Sequence, residues 1–226
     1  ELISDKMKQN WYKYLAVLML SYVMVWGFLG HIPRQPVLHE TARNLYFHVP
    51  MWFSMFVMLT ISVINSIKYL RNPLTSIDDK AESYAYTGIL FGIVGCATGS
   101  IWARYTWGTW WTNDVKLNGA AIGLLIYFAY AILRGSFEDE QQKARISAIY
   151  NIFAIALLIP LLIILPRMTD SLHPGNGGNP GFKPMDTQGA MRLVFYPAVI
   201  GWISLGYWIT NLRLRIRKIE RQANEA

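Results

Sequence analysis

The sequence predicts an all-α membrane protein that crosses the bilayer six times. Of its 226 residues, 53% are hydrophobic and only 15% are charged, whereas a soluble domain carries about 25% charged residues. The charges are bunched, and they leave six uncharged stretches of 17 to 24 residues that together hold 123 residues. About 20 apolar residues in a helix span the hydrocarbon core of a bilayer. We therefore treat residues 1–226 as a single six-span membrane domain.

The spans are predicted in order from these uncharged stretches. They cover about residues 14–33, 44–67, 83–103, 117–133, 146–166 and 193–212. Lysines precede the first stretch, but it is longer than the apolar region of a signal peptide and no small-residue cleavage site follows, so we expect a retained span. The third stretch carries Gly88, Gly92, Gly95 and Gly99, which permit close packing with a neighbouring helix.

The lysines and arginines predict the orientation of the spans. Fourteen of the 21 lie at the termini and in alternate loops, while seven lie in loops 31–43, 104–116 and 167–192. Loops rich in Lys and Arg stay in the cytoplasm. Both termini are therefore predicted to be cytoplasmic and the three less basic loops external.

Several classes of function are excluded by what the sequence lacks. A single cysteine, Cys96, provides no disulfide, no redox pair and no thiolate cluster for zinc. No phosphate-binding Walker loop is present, so any ATP-driven step belongs to a partner. The net charge of +7 reflects membrane orientation rather than nucleic-acid binding. No residue stands out as a general acid or base, and we expect no classical enzyme activity.

The predicted external loop 102–116 is unusually rich in tryptophan. Four of the nine tryptophans lie within ten residues, at Trp102, Trp107, Trp110 and Trp111. An interfacial belt is one explanation, and Trp26, Trp52, Trp202 and Trp208 are assigned to a belt or to packing. The denser cluster favours a surface for a flat apolar ligand. Gly108 permits an unusual turn or a close backbone approach within it.

All four histidines fall on or near the predicted outer face, at His31, His39, His48 and His173. His48 and His173 are either hydrogen-bonded interfacial residues or two imidazoles that ligate one haem iron from opposite sides. Arg43, Arg104 and Lys116 lie nearby in sequence and are candidates for binding haem propionates, although basic residues also flank spans for other reasons. Asp114 is predicted to cap the fourth span.

Three motifs together resemble those of a family of haem-handling proteins in cytochrome c maturation. Trp107-Gly-Thr-Trp-Trp-Thr-Asn-Asp114 resembles the tryptophan-rich WWD signature. Tyr46-Phe-His-Val-Pro50 and Ser171-Leu-His-Pro-Gly175 resemble the two histidine motifs of the family. The length and the six spans resemble the CcmC branch rather than the longer CcmF and CcsA branches. The resemblance extends from about residue 40 to residue 210.

The resemblance implies a function and a set of site residues. It implies non-covalent, b-type haem held at the outer face, with His48 and His173 as axial ligands. It implies a haem-presenting loop and basic partners, formed by Trp102, Trp107, Gly108, Trp110, Trp111, Asp114, Arg43 and Lys116. It also implies delivery of haem to the chaperone CcmE, release driven by the ATP-binding cassette pair CcmA and CcmB, and the small subunit CcmD as a further candidate partner. The expected location is the bacterial inner membrane, with the functional face in the periplasm.

Two residues depart from the pattern of the family, and two other functions stay open. Asn113 stands where the commoner pattern has a third tryptophan, and Lys116 stands where the family usually has Arg. Lys116 keeps the charge but lacks the planar, bidentate guanidinium. The alternatives are a membrane b-type cytochrome that transfers electrons, which would require histidines near the inner face as well, and a small-solute transporter, which would place ionisable residues near the bilayer midplane.

Overall fold

The computed structural model of the chain describes residues 2–32, 38–173 and 189–225, and within these ranges all regular structure is helical. Among the described residues, six helices are long and apolar enough to cross a membrane. The predicted all-α fold with six spans is therefore confirmed. The glycine-rich segment 174–181, together with part of the loops 31–43 and 167–192, lies outside the described residues.

The six long segments differ in detail from the uncharged stretches. They are α1 (Leu2–Leu29), α2 (Val49–Arg71), α3 (Thr75–Trp107), α4 (Val115–Gly135), α5 (Glu140–Ile159) with its continuation, and α7 (Gly189–Glu225). Helix α1 ends four residues before the end of the first uncharged stretch. Before α2, a 3₁₀ helix covers His39–Tyr46, so residues 47 and 48 lie at a junction between two kinds of helix.

Capping residues explain several of these boundaries. Helix α3 ends at Gly108, whose φ of 79° is in the left-handed region that favours glycine. Helices α4 and α5 begin after Asp114 and Asp139, and both carboxylates accept hydrogen bonds from the backbone of the first turn. The connection between α3 and α4 is therefore fixed at both of its ends.

Proline shapes the fifth span. Helix α5 passes into a π turn at Pro160–Ile164 and then into the short α6 (Leu165–Met168). Pro160 has no backbone N–H and cannot complete the regular helical ladder. The widened turn lies against α4, where a Cβ on Gly119 would come within 2.5 Å of the carbonyl oxygen of Leu161. The glycine thus permits the close approach of the two helices.

Helix α2 lies at the centre of the bundle and contacts α3, α5 and α7. Helix α1 packs on α7, and α4 packs on α5 and α3. The central core is formed by apolar side chains of α2, α3, α4 and α5. This arrangement places the first turn of α2 beside the last turns of α3, and it brings the two candidate histidine motifs to the same end of the bundle.

Candidate functional site

His48 lies at the start of α2, where the 3₁₀ helix changes into an α-helix. Its Nδ1 is 2.9 Å from the carbonyl oxygen of Gly95 and 3.1 Å from the hydroxyl of Thr98, both on α3. A carbonyl only accepts hydrogen bonds, so Nδ1 carries the proton and Nε2 keeps the lone pair. The indole N–H of Trp52 donates to this Nε2 across 3.3 Å. The orientation of His48 is therefore set by partners at both ring nitrogens.

The glycines of α3 provide the space for His48 and Trp52. A Cβ on Gly99 would lie 2.6 Å from Cε1 of His48, and a Cβ on Gly95 would lie 3.0 Å from Cε2 of Trp52. Both distances are too short for any side chain larger than hydrogen without movement of the ring. The close packing that the sequence predicted for this glycine row is confirmed; its main partner is α2, and Leu124 of α4 also lies against Gly92.

His173 lies in the segment after α6, and its ring contacts two tryptophans at the end of α3. The ring centroid of His173 is 5.8 Å from that of Trp102 and 5.1 Å from that of Trp107, and the Trp107 contact is edge-to-face. Trp102 and Trp107 also pack edge-to-face, with 5.0 Å between their centroids. The side chain of His173 is only 19% exposed. Two residues of the tryptophan cluster thus form the walls around this imidazole.

Asp114 connects the N-terminus of α4 to the segment that carries His173. Its Oδ1 accepts from the backbone N–H of Lys116 at 2.9 Å, which is the predicted cap, and its Oδ2 accepts from the N–H of Leu172 at 2.7 Å. Oδ1 also lies 3.4 Å from Nδ1 of His173, although this pair is not aligned as a hydrogen bond. The carboxylate therefore holds the backbone immediately before His173 and faces the imidazole.

The environment of these two side chains sets their charge. Burial acts to raise the pKa of the Asp114 carboxyl, but the donors on Leu172, Ser171 and Lys116 together lower it below its ordinary value. Burial first, and the positive charge of Lys116 second, lower the pKa of His173 to about 4, against the opposing effect of Asp114. At neutral pH the site holds an ionised carboxylate beside a neutral imidazole, which is the form that can ligate a metal.

His48 and His173 both contact the C-terminal part of α3. Thr98 contacts His48. Trp102, one helical turn further along α3, contacts His173. The structure thus places together two imidazoles that are 125 positions apart in the sequence. The covalent chain alone gives no reason for this arrangement, which follows from the packing of α2, and of the segment after α6, against α3.

The other two tryptophans of the cluster, Trp110 and Trp111, are 58% and 43% exposed. The indole N–H of Trp111 donates to the side-chain oxygen of Asn118 across 3.4 Å, and the Asn118 amide donates to Asn113 across 2.6 Å. Asn113, the residue that departs from the family pattern, therefore helps to hold the loop on the first turn of α4.

The three basic residues predicted near the site, Arg43, Arg104 and Lys116, have different partners in the structure. Nη1 of Arg43 donates to the carbonyl oxygens of Gly27 and Gly30 at 2.9 and 2.8 Å, and Nε donates to Glu40. This arrangement satisfies the C-terminal carbonyls of α1 and favours a structural role for Arg43. Arg104 donates to the carbonyl oxygen of Gly108. Lys116 lies near enough to His173 to influence its protonation.

The donors at this end of the bundle fit a haem better than a bare metal ion. Within residues 2–32, 38–173 and 189–225, no group of three or more His, Cys, Asp or Glu side chains is placed to hold a metal. A haem supplies four equatorial nitrogens itself and requires only axial ligands from the protein. Two neutral imidazoles match that requirement; His48 is hydrogen-bonded to the Gly95 carbonyl, and His173 faces the Asp114 carboxylate.

Sequence reasoning missed part of this site. Trp52, which was assigned to a belt or to packing, does pack on Gly95 but also donates to His48. Its position four residues after His48 was the available signal, because residues four apart on a helix share a face. Thr98 gave no comparable signal, since its contact with His48 depends on the packing of α2 against α3.

Comparison with known proteins finds a family that matches nearly the whole length of the chain. The model of the CcmC family, Heme exporter protein C, matches residues 3–226. Heme exporter protein C of Haemophilus influenzae is 24% identical over 219 residues, which are 94% of this chain and 85% of that protein. The Escherichia coli K12 protein of the same name is 24% identical over 212 residues, which are 91% of this chain and 81% of that protein. The Paracoccus denitrificans protein of that name is 27% identical over 195 residues, 85% and 78% of the two chains.

Proposed function

The chain belongs to the CcmC family, Heme exporter protein C, and from this premise we propose that it holds haem between His48 and His173 and delivers it to the haem chaperone CcmE. Membership of the family supports a role in the handling of haem during cytochrome c maturation. Haem is the cargo in this proposal, bound without a covalent bond. The two histidines act as axial ligands, and the tryptophan-rich loop presents the porphyrin.

The observation that carries the proposal is the pair of neutral imidazoles at one end of the bundle. His48 donates from Nδ1 to a backbone carbonyl, which is the usual outer partner of a ligating histidine. His173 faces the Asp114 carboxylate and is neutral at physiological pH. Both rings can therefore offer a lone pair, provided that Trp52 releases Nε2 of His48.

The loop between α3 and α4 supports a presenting role. Trp110 and Trp111 expose apolar rings in the loop that follows Trp107, and such rings favour a flat apolar ligand. Lys116 and Arg104 provide positive charge for the propionates. We assign Arg43 to the support of the site, because its guanidinium is hydrogen-bonded to the end of α1. Asp114 likewise supports the site by holding the segment of His173.

The partners and the location follow from the family and stay part of the proposal. The 226 residues contain no Walker motif, which agrees with ATP hydrolysis by a separate pair, CcmA and CcmB. CcmE would approach the exposed edge of the haem next to Trp110 and Trp111, and CcmD is a further candidate. The protein would lie in the bacterial inner membrane with this end of the bundle facing the periplasm.

The distribution of histidines favours haem handling over transmembrane electron transfer. The described histidines, His31, His39, His48 and His173, all lie in segments at the same end of the helices. A path for electrons across the bilayer requires a second haem near the other side, and the sequence has no further histidine to ligate it there.

The visible spectrum of the purified protein tests the proposal. The native protein should show haem absorbance, and His48→Ala and His173→Ala should each lose most of it. His31→Ala and His39→Ala are matched controls, because both side chains are exposed and belong to the same end. Added imidazole should restore part of the absorbance in the first two variants, which separates the loss of a ligand from misfolding. Unchanged haem content in both ligand variants would contradict the assignment.

A further inference from the structure

The indole N–H of Trp52 is hydrogen-bonded to the only nitrogen of His48 that could bind iron. The Nδ1 proton of His48 is directed at the carbonyl oxygen of Gly95, 2.9 Å away, so the free lone pair is on Nε2. The indole N–H of Trp52 lies 3.3 Å from that Nε2 and donates to it. An sp² nitrogen has one lone pair, and it cannot accept this hydrogen bond and ligate a metal at the same time.

The contact is built into the packing of α2 on α3. Trp52 follows His48 by one helical turn, and their rings meet edge-to-face at 82° with 6.1 Å between centroids. Gly95 contributes twice, because its carbonyl orients His48 and its missing side chain leaves room for the indole of Trp52. Gly99 accommodates the imidazole itself. The ring of Trp52 is therefore held where its N–H faces His48.

We propose that Trp52 is a positioning residue that holds Nε2 of His48 in the haem-free protein and competes with haem iron for it. This inference rests on the proposed role of His48 as a haem ligand. Binding of haem requires the hydrogen bond from Trp52 to His48 to break. Release of haem is assisted because the indole N–H forms this hydrogen bond with Nε2 again. A protein that passes its cargo on benefits from such a competitor, since the empty site is not left with an unpaired buried nitrogen.

Removal of the donor should tighten haem binding. In Trp52→Phe an aromatic ring is kept but the indole N–H is lost, so iron no longer displaces a hydrogen bond. We expect the affinity for ferric haem to increase about three- to tenfold, the range that corresponds to a single hydrogen bond. Transfer of haem to excess apomyoglobin should slow by a similar factor. Both are measured by absorbance on the full chain in lipid nanodiscs.

A matched control separates the hydrogen bond from the loss of an indole. The N–H of Trp202 is buried and has no hydrogen-bond partner among the described residues, so Trp202→Phe removes an indole without removing such a contact. This control should leave haem affinity unchanged. Replacement of Trp52 by benzothienylalanine, which has the shape of tryptophan with sulfur in place of N–H, should reproduce the tighter binding of Trp52→Phe.

A second readout requires no haem. Diethyl pyrocarbonate acylates the lone pair of a neutral imidazole, and mass spectrometry reports the rate at each histidine. In the benzothienylalanine protein, access to His48 is unchanged, so a rate at His48 that is about threefold faster or more, with an unchanged rate at exposed His39, supports the hydrogen bond. Equal rates at His48 in the two proteins overturn the inference.

The outcomes distinguish the two proposals. Equal or weaker haem affinity in both Trp52 variants, with the native protein still dependent on His48, overturns the role of Trp52 and leaves the haem site in place. If the native protein binds haem and His48→Ala binds it equally well, the proposed function fails at this ligand, and the inference about Trp52 fails with it.

Discussion

At the scale of single residues, Asp114 shows how one side chain can serve both the fold and the site. It caps α4 through the N–H groups of Lys116 and Leu117, and it accepts from the N–H of Leu172. The position of His173 therefore depends on a carboxylate that is close to it only through the tertiary structure. The motif resemblance assigned Asp114 to haem presentation, and the geometry indicates that it acts by holding His173.

This gives a prediction with a matched control in the same chain. Asp114→Ala should lower stability by about 1 kcal/mol through loss of the cap and should also reduce haem binding strongly, because the segment of His173 is released. Asp139→Ala removes the cap of α5, where the carboxylate accepts from the N–H of Gln142 at 2.6 Å. Asp139→Ala should lower the free energy of unfolding by a similar amount and leave haem binding unchanged. Denaturation midpoints and haem titrations of both variants measure this, and equal haem binding in the two would refute the assignment.

At the scale of helices, the contact between α2 and α3 determines the geometry of His48. Four glycines of α3 lie against side chains of α2 or of its N-terminal junction in antiparallel order: Gly88 against Leu59, Gly92 against Met55, Gly95 against Trp52 and Gly99 against His48. Gly92 also lies against Leu124 of α4. Small residues allow helices in a bilayer to approach closely and gain van der Waals contact. The same row of glycines that packs the core therefore ends at the site.

The two ends of this row should respond differently to an added methyl group. In Gly99→Ala the new Cβ would lie 2.6 Å from Cε1 of His48, so the imidazole must shift and haem affinity should fall at least tenfold. In Gly88→Ala the Cβ would meet Cδ2 of Leu59 at 2.6 Å, far from the site. This control should lose about 1–3 kcal/mol of stability with normal haem affinity. Titration of both variants with ferric haem decides between a packing role and a site role for Gly99.

At the scale of the whole molecule, the two ends of the bundle have different chemistry. One end carries the described histidines and the tryptophan cluster at Trp102, Trp107, Trp110 and Trp111. Near the start of α3, Arg134 makes a bidentate contact with Asp78 at 2.5 and 3.0 Å and also contacts Glu82, and both members of the Arg134–Asp78 pair are buried. Asp78 and Trp102 are 24 residues apart along α3, which is about 36 Å of helix. The buried ion pair and the candidate haem site therefore lie at opposite ends of the bundle.

Disruption of the buried ion pair should affect stability without affecting the site. Arg134→Met leaves Asp78 without its partner and should cost about 3–5 kcal/mol. Lys143→Ala removes a more exposed pair with Glu140 and should cost less than about 1 kcal/mol. Haem bound per folded molecule should be the same in both. Denaturation of the purified variants, together with their absorbance, provides the measurement, and selective loss of haem affinity in Arg134→Met would show that the two ends are coupled.

The orientation predicted from the basic residues can be tested on the whole chain in cells. In a Cys96→Ser background, Tyr105→Cys lies at the tryptophan end and Ser136→Cys at the opposite end, and both positions are exposed. A membrane-impermeant maleimide added to spheroplasts should label position 105 and should label position 136 only after the membrane is opened. The reverse pattern would place the proposed haem site in the cytoplasm and contradict the predicted topology.

The sequence by itself determined the class of the fold and the types of residue at the site. A stretch of about 20 apolar residues without charge is sufficient to define a span, because each segment by itself must avoid placing charged side chains in the hydrocarbon core. The cap at Asp114 and the close packing of the α3 glycines could also be predicted from the sequence, since capping and small-residue spacing are local patterns. The histidine and tryptophan motifs indicated the family without any knowledge of their positions in space.

Only the tertiary structure decided how these residues act on one another. It placed Trp52 on the lone pair of His48, Asp114 on the backbone before His173, and Arg43 on the end of α1. Each of these contacts depends on side-chain direction or on the packing of one helix against another. A hydrogen bond forms over about 3 Å, whereas sequence patterns locate a residue only to a face of a helix or to a loop. The chemistry of the site therefore follows from helix packing and side-chain direction, which local sequence patterns do not reveal.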